Sequence, residues 1–361
     1  MELNHINKAQ PGGDRSAKAR SGVGGIAFPG SLHAVTAALS KAPRAIRHAR
    51  LIRRQAYGAY DPKEGKSRLP GPQIVQIQTV DRCNGSCPMC PYSTIDKPGP
   101  SHLMEPDLYL RILECLQRAG NTQSLYLMLQ NEPLLDPGLA QRVRQARERL
   151  GKGTLIRIVT NGSQLAPPRI DELCQAGVDE IAVSIDAFRE ETYAAIRPGL
   201  SFSRVVDNTR ALIDRGKGIK VVVRFLTMSA NAAEQDQFVR YWEAHGANVE
   251  LMTLNNRAGG LSDFEKIRAP RPGGKWWRRM HRLIAGRIPC EAGPLRSMSM
   301  AWDGRVLLCC HDWAARAVLG NLSYQSLAEV WHGSQANHYR SLLASCQFER
   351  SPVCRECSCT A

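Results

Sequence analysis

The chain has 361 residues, a formal net charge of +15 and a hydrophobic content of 43%. That length accommodates a large α/β unit with a smaller extension, and the hydrophobic share suits a soluble globular protein. No apolar run of about 18 residues occurs, and the N-terminus lacks an apolar h-region, so neither a membrane span nor a secretory signal is expected.

The charge is uneven. Residues 1–70 hold 13 Lys/Arg and 4 Asp/Glu. The first 30 are rich in Gly, Ser, Ala and Lys, a composition expected to be disordered. Residues 32–57 can form a basic helix carrying Arg44, Arg47, Arg50, Arg53 and Arg54. An arm for nucleic acid or an anionic surface is one reading. A solvated leader is the other, and it is preferred because no Phe, Tyr or Trp interleaves with these arginines. No nucleic-acid or membrane partner is therefore expected.

The first strand is predicted over Gln73–Val80, where polar and apolar residues alternate. Directly after it comes Cys83-Asn84-Gly85-Ser86-Cys87-Pro88-Met89-Cys90. Three cysteines so close suit a loop folded around one object, and an iron–sulfur cluster is such an object. Three ligands leave one iron of a four-iron cluster open for a non-protein ligand. A zinc site with paired C-x2-C spacing fits this triplet poorly. The chain has 12 cysteines, and without a secretory signal they argue for metal ligands in a reducing compartment, the cytoplasm.

Helices and strands then alternate to about residue 265. A helix opens at Pro106 and runs to about Arg118, and a strand covers Ser124–Leu129. A helix over Leu139–Leu150 leads to the strand Leu155–Val159, and a helix over Pro168–Ala176 to the strand Glu180–Ile185. The helix Ser203–Arg215 precedes the strand Lys220–Phe225, and the helix Ala233–His245 precedes the strand Asn248–Leu254. Six such units predict a parallel α/β sheet. Sites in parallel barrels lie at the C-terminal strand ends. Glu132, Thr160, Asn161, Ser184 and Asp186 collect there. Each can instead close a turn or cap a helix.

The last 72 residues hold seven cysteines. Cys290 is followed by Gly304-Arg305-Val306-Leu307-Leu308-Cys309, with a turn signal at Asp303-Gly304, and then by Cys354-Arg355-Glu356-Cys357. Cys290, Cys309, Cys354 and Cys357 are enough to close a second four-iron cluster, with a four-cysteine zinc site as rival. Cys115 and Cys174 fall on predicted helices as buried hydrophobes. Cys310 reads as a buried neighbour of Cys309, an alternative ligand or a hydrogen-atom donor. Cys346 and Cys359 are left over. Asp312 is either a base or the cap of a turn.

The triplet after a first strand resembles the radical S-adenosylmethionine (radical SAM) superfamily. The C…G-x4-C…C-x2-C order resembles the twitch and SPASM extensions of those enzymes, and the likeness covers about residues 71–361. It implies a partial (β/α)6 barrel over 71–265, with a small C-terminal Cys-rich α+β extension over 286–361, behind the basic segment 1–70. It implies a [4Fe–4S] cluster on Cys83, Cys87 and Cys90, with SAM on its open iron, and one auxiliary [4Fe–4S] cluster. Gln130-Asn131-Glu132-Pro133 takes the place of the family's Gly-Gly-Glu-Pro, which holds the SAM amino group. Its two glycines are replaced here, and Glu132 is retained. Ser184 and Asp186 match positions that contact the ribose or methionine part, Arg197 suits the SAM carboxylate, and Met89 matches the position beside the adenine.

The activity so implied is reductive cleavage of SAM and abstraction of a substrate hydrogen atom, with electrons from a donor such as flavodoxin or ferredoxin. The preferred outcome is oxidation of a small polar metabolite, such as an aminocyclitol or amino sugar, in natural-product biosynthesis. Crosslinking of a ribosomally made peptide and radical epimerisation are the enzymatic alternatives. An iron–sulfur electron carrier is the non-enzyme alternative.

Overall fold

The computed structural model describes residues 58–61, 63–94, 100–270, 290 and 293–359. The basic helix expected over 32–57 and the disorder expected before it lie outside the described residues. Strands β1 (Ile74–Ile77), β2 (Ser124–Tyr126), β3 (Leu155–Thr160), β4 (Glu180–Ser184), β5 (Lys220–Thr227) and β6 (Asn248–Thr253) lie side by side in that order. Every neighbouring pair is parallel. Near-continuous apolar runs such as Ile181-Ala182-Val183 and Val221-Val222-Val223 are buried, as strands covered on both faces require.

The crossovers are helical. In α1 (Pro106–Ala119), Tyr109, Ile112, Leu113 and Leu116 are buried on one stripe, with Pro106 opening the first turn. Each of these apolar side chains contributes ~1.5–3 kcal/mol by leaving water. Helices α2 (Leu139–Leu150) and α3 (Pro167–Ala176) follow. A short α4 (Glu190–Ile196), which the sequence pattern does not reveal, precedes α5 (Phe202–Arg215). Ser201 caps α5 by accepting from the Arg204 amide. Helix α6 (Gln235–Ala244) precedes β6.

The C-terminal part joins the same sheet. Strand β7 (Ser297–Met300) pairs with β1 as a seventh parallel strand. Strands β8 (Arg305–Leu307) and β9 (Val318–Asn321) continue it antiparallel, so the sheet order is β9-β8-β7-β1-β2-β3-β4-β5-β6. The turn at Asp303-Gly304 joins β7 to β8, with Gly304 at φ 86°, a conformation that favours glycine. Helices α7 (Leu327–Trp331), which opens on a Ser326/Glu329 capping box, and α8 (Ser334–Ala344) complete this part. Arg111 on α1 donates to the carbonyls of Leu322 and Ser323, and His102 stacks on Trp302 with centroids 4.5 Å apart. The sheet and these contacts hold the last cysteines against the strand ends. Among the described residues no helix is long and apolar enough to cross a membrane.

Candidate active site and auxiliary centre

The loop after β1 brings Cys83, Cys87 and Cys90 to one cavity of about 350 Å³. Burial pushes the Cys83 thiol up to about 12, opposed by the backbone at Gly85. Burial also raises Cys87 and Cys90. Such thiols stay protonated and inert until a metal removes the proton. The Arg197 guanidinium reaches 4.0 Å from the Cys87 sulfur, placing a cation beside the donor set. Three convergent thiols with this support fit an iron–sulfur cluster with one open iron.

Glu132 lies in the same cavity and is only 2% exposed. Its Oε1 accepts from Thr160 Oγ1 at 2.6 Å and from the Leu134 amide at 3.0 Å. Its Oε2 accepts from the Asn161 amide at 2.7 Å. Burial raises its pKa against these three bonds. A carboxylate has about four acceptor positions, so one remains, on Oε2, for an ammonium group. The side chain of Asn161 reaches Asn84 Oδ1 at 2.8 Å, tying the cysteine loop to the end of β3. Thr160-Asn161-Gly162 is also the strand-to-helix turn. Gly162 sits at φ 77°, and a Cβ there would come within 2.8 Å of Val183 Cγ1.

Asp186 takes a left-handed φ of 63°. Such a conformation in a residue other than glycine persists only when its surroundings over-determine it. Here the Leu226 amide donates to its Oδ1 at 2.7 Å, Asn231 Nδ2 donates to its carbonyl at 2.6 Å, and Arg197 pairs with Oδ2. Burial works against the charge on Arg197, but Asp186 and Cys87 raise its pKa. Ser184 and the buried Met89 also line the cavity. Thus Met89, Glu132, Thr160, Asn161, Ser184, Asp186 and Arg197 are all brought together with the triplet.

The auxiliary cysteines gather on the other side. Cys309, Cys354 and Cys357 are buried and Cys290 is half-buried. Burial raises the Cys309 thiol well above its ordinary value, and the neighbouring Cys310, Cys290 and Cys354 add to the shift. Cys357 goes the other way, held well below the usual thiol range by hydrogen bonds with Cys359 and His311. Charge interactions link Cys309 to Cys290 and Cys354, and Cys354 to Cys357, so the four thiols share one region and their chemistry suits an iron–sulfur cluster. Among the described residues the donor atoms within 4.8 Å of one another are those of His311, Cys357 and Cys359. Cys115 and Cys174 are half-buried away from both groups, and Cys346 packs against the core.

Cys310 lines the main cavity. Asp312 does not. It is fully buried, and its two oxygens accept from the amides of Arg316 and Ala317 at 2.9 Å each. That is the geometry of a turn cap, so of its two sequence readings the structure favours the cap over the base.

Several polar groups in the cavity escaped the sequence reading. Arg224, Asn255, Arg257, His311 and Trp313 line it as well. Asn255 and Arg257 follow the end of β6, where the strand-end rule points. His311 has no spacing signal beyond its place after Cys309-Cys310.

Comparison with known proteins agrees with this arrangement. The radical SAM superfamily model matches residues 77–236, and that of an iron–sulfur cluster-binding domain, SPASM, matches residues 290–358. The S-adenosyl-L-methionine-dependent 2-deoxy-scyllo-inosamine dehydrogenase of Niallia circulans is 21% identical over 285 residues, 79% of this chain and 92% of that protein. The crystal structure of BtrN with AdoMet and 2-DOIA superimposes with a TM-score of 0.55 at 21% identity, over 79% of this chain and 92% of BtrN. Streptococcus suis SuiB bound to its precursor peptide SuiA gives 0.62 at 14% identity, over 81% of this chain and 76% of SuiB. At such identities these structures speak for the fold alone. The two matched segments contain the Cys83–Cys90 triplet and all four expected auxiliary cysteines, and the chain carries a radical SAM domain with a SPASM-like iron–sulfur extension.

Proposed function

We propose that this protein is a radical SAM oxidoreductase that dehydrogenates a small polyhydroxylated metabolite, an aminocyclitol or amino sugar. The observation that carries the reading is one cavity shared by both halves of the chain. The triplet cysteines and Glu132 line it from the barrel, and Cys310 and His311 line it from beside the auxiliary cysteines. The two family domains imply a SAM-binding [4Fe–4S] cluster, SAM and an auxiliary cluster. When bound, these groups supply a 5′-deoxyadenosyl radical that takes a hydrogen atom from an unactivated C–H bond, and an acceptor for the electron left behind.

The residues divide the remaining work. Cys83, Cys87 and Cys90 hold the first cluster, and Cys290, Cys309, Cys354 and Cys357 hold the second. Glu132 Oε2 receives the SAM ammonium. Thr160 and Asn161 fix that carboxylate in place. Arg197, paired with Asp186, offers its other guanidinium nitrogens to the SAM carboxylate. Ser184 faces the ribose and Met89 the adenine. The polar wall of Gln76, Asn131, Asn255 and Arg257 suits a hydroxylated substrate, and the cavity volume is in the range of small-molecule sites. Asp312 caps the Asp312–Ala317 turn. The net charge of +15 suits docking of an acidic electron donor such as flavodoxin or ferredoxin.

The test is anaerobic turnover of ring-deuterated 2-deoxy-scyllo-inosamine, the compound in the relative's name, with SAM and dithionite. Deuterium in 5′-deoxyadenosine together with a ketone product is expected. In a parallel run with unlabelled substrate in D2O, a product one mass unit heavier than the substrate, with the deuterium on carbon and no oxidation, makes the protein an epimerase. SAM cleavage with no label transfer overturns the aminocyclitol assignment and turns attention to peptide crosslinking.

A further inference from the structure

His311 is so far only a wall residue of the cavity, yet its ring also meets polar groups of the auxiliary segment and of the loop after β6. Its ring nitrogen and the sulfurs of Cys357 and Cys359 lie within 4.8 Å of one another. Nδ2 of Asn255 stands 3.5 Å from His311 Nε2. Oδ1 of the same amide accepts from the Arg257 backbone at 3.0 Å, which turns the NH2 toward the ring.

The loop carrying Asn255 is bolted to the cysteine segment. The Asn256 amide donates to Ser358 Oγ at 2.9 Å, the Ser358 amide returns a bond to Asn256 Oδ1 at 2.8 Å, and Asn256 Nδ2 donates to the Glu356 carbonyl at 2.6 Å. Arg257 and Ala258 both hold left-handed φ values, 50° and 53°, a strain of ~1–3 kcal/mol each that these bonds must sustain. The His311 ring is therefore clamped between the last barrel loop and Cys357.

We propose that His311 is a positioning residue that donates a hydrogen bond to the Cys357 sulfur and so raises the reduction potential of the auxiliary centre where that centre meets the substrate cavity. This rests on the assignment of Cys290, Cys309, Cys354 and Cys357 to an iron–sulfur cluster. A donor at a ligand sulfur withdraws charge and favours the reduced, more negative state. Hydrogen bonds to sulfur are among the main determinants of cluster potential. Four cysteines already close the cluster, so the imidazole is left to tune rather than to ligate.

The test uses the full chain carrying Cys83→Ala, Cys87→Ala and Cys90→Ala, in which the auxiliary cluster is the remaining iron centre. Its midpoint is read by an EPR-monitored redox titration, with His311, with His311→Leu and with His311→Gln. All three are expected to hold about four irons per chain. At a fixed poise the reduced-to-oxidised ratio should fall about tenfold in His311→Leu, a shift of ~59 mV for one electron. His311→Gln keeps an N–H donor and should recover part of it. With His311 in place, the reduced cluster should show an exchangeable proton by pulsed EPR after transfer to D2O, and the Leu variant should not. An unchanged midpoint in His311→Leu overturns the proposal. Absence of the exchangeable proton with His311 present overturns it even where the Leu variant does not assemble. Loss of iron in both variants makes His311 a ligand and also overturns it. If the triple-Ala chain forms no cluster at all, the ligand assignment fails and the proposal falls with it.

Discussion

The two cysteine centres stand on different supports. Cys83, Cys87 and Cys90 hang from a loop braced by parallel strand ends, where Glu132, Thr160 and Asn161 form one buried network. Cys354 and Cys357 sit on a single 3-10 turn, and Cys309 lies just past a three-residue strand. The thiols differ accordingly. Burial raises all three in the barrel loop and also Cys309 and Cys354 of the auxiliary set, whereas Cys357 is held down by its neighbours. The barrel pre-forms its site through the fold. The auxiliary site depends on cross-links to the barrel and on the metal itself, because binding energy there is also folding energy.

If the barrel network is preorganised, breaking its central carboxylate should have the largest local effect. In Glu132→Gln the amide offers one acceptor oxygen in place of two, and it brings its own donor against the Asn161 amide. A loss of ~2–3 kcal/mol is expected, which corresponds to SAM binding weaker by roughly a hundredfold. Titration with SAM followed by the EPR change of the reduced cluster reads it. Auxiliary iron should not change, and a parallel loss there would mean that the two centres are not independently supported.

Asn256→Ala sharpens the other side of the comparison. It removes the two side-chain bonds, to the Glu356 carbonyl and from the Ser358 amide, and leaves the backbone bond to Ser358 Oγ, with an expected cost of ~1–3 kcal/mol. Chelator-driven iron loss should accelerate at the auxiliary centre and stay unchanged at the triplet. Equal acceleration at both centres would place the latch in global stability instead.

A smaller effect should appear in iron-free protein treated with iodoacetamide. Cys357, held down, is already thiolate at neutral pH, so its alkylation should be nearly flat from pH 6 to 9. The Cys83 thiol, raised to about 12, is protonated over that range, and its rate should rise about tenfold per pH unit. Peptide mass mapping separates the two. A rising profile for Cys357 would remove the contrast between these two thiols.

The sequence made the barrel centre easy to read because its ligands are close in the chain and follow an alternating strand. Six strand–helix units were legible from periodicity alone. Strand β7 was not: Ser297-Met298-Ser299-Met300 alternates polar and apolar, but the run is only four residues long and no predicted helix frames it as in the barrel units. The short helix α4 has seven residues, too few for a periodic stripe. Glu132, Thr160 and Ser184 were visible because each stands at a strand end. Asn255 and Arg257 obey the same rule but come after the last strand, where the helical alternation that frames a strand end has stopped. His311 and Cys359 each lie two residues from an expected ligand, Cys309 and Cys357, but that His311 meets Cys357 and Cys359 is visible only in the fold.

The two centres have separate tasks in the proposed reaction. The most direct test compares dithionite-driven 5′-deoxyadenosine formation and iron content in two variants of the full chain. With Cys83, Cys87 and Cys90 changed to Ala, SAM cleavage should vanish while about four of about eight irons remain. With Cys354 and Cys357 changed to Ala, cleavage should persist and oxidised product should be nearly absent. SAM cleavage that survives in the first variant, or disappears equally in both, would contradict the division of labour drawn here.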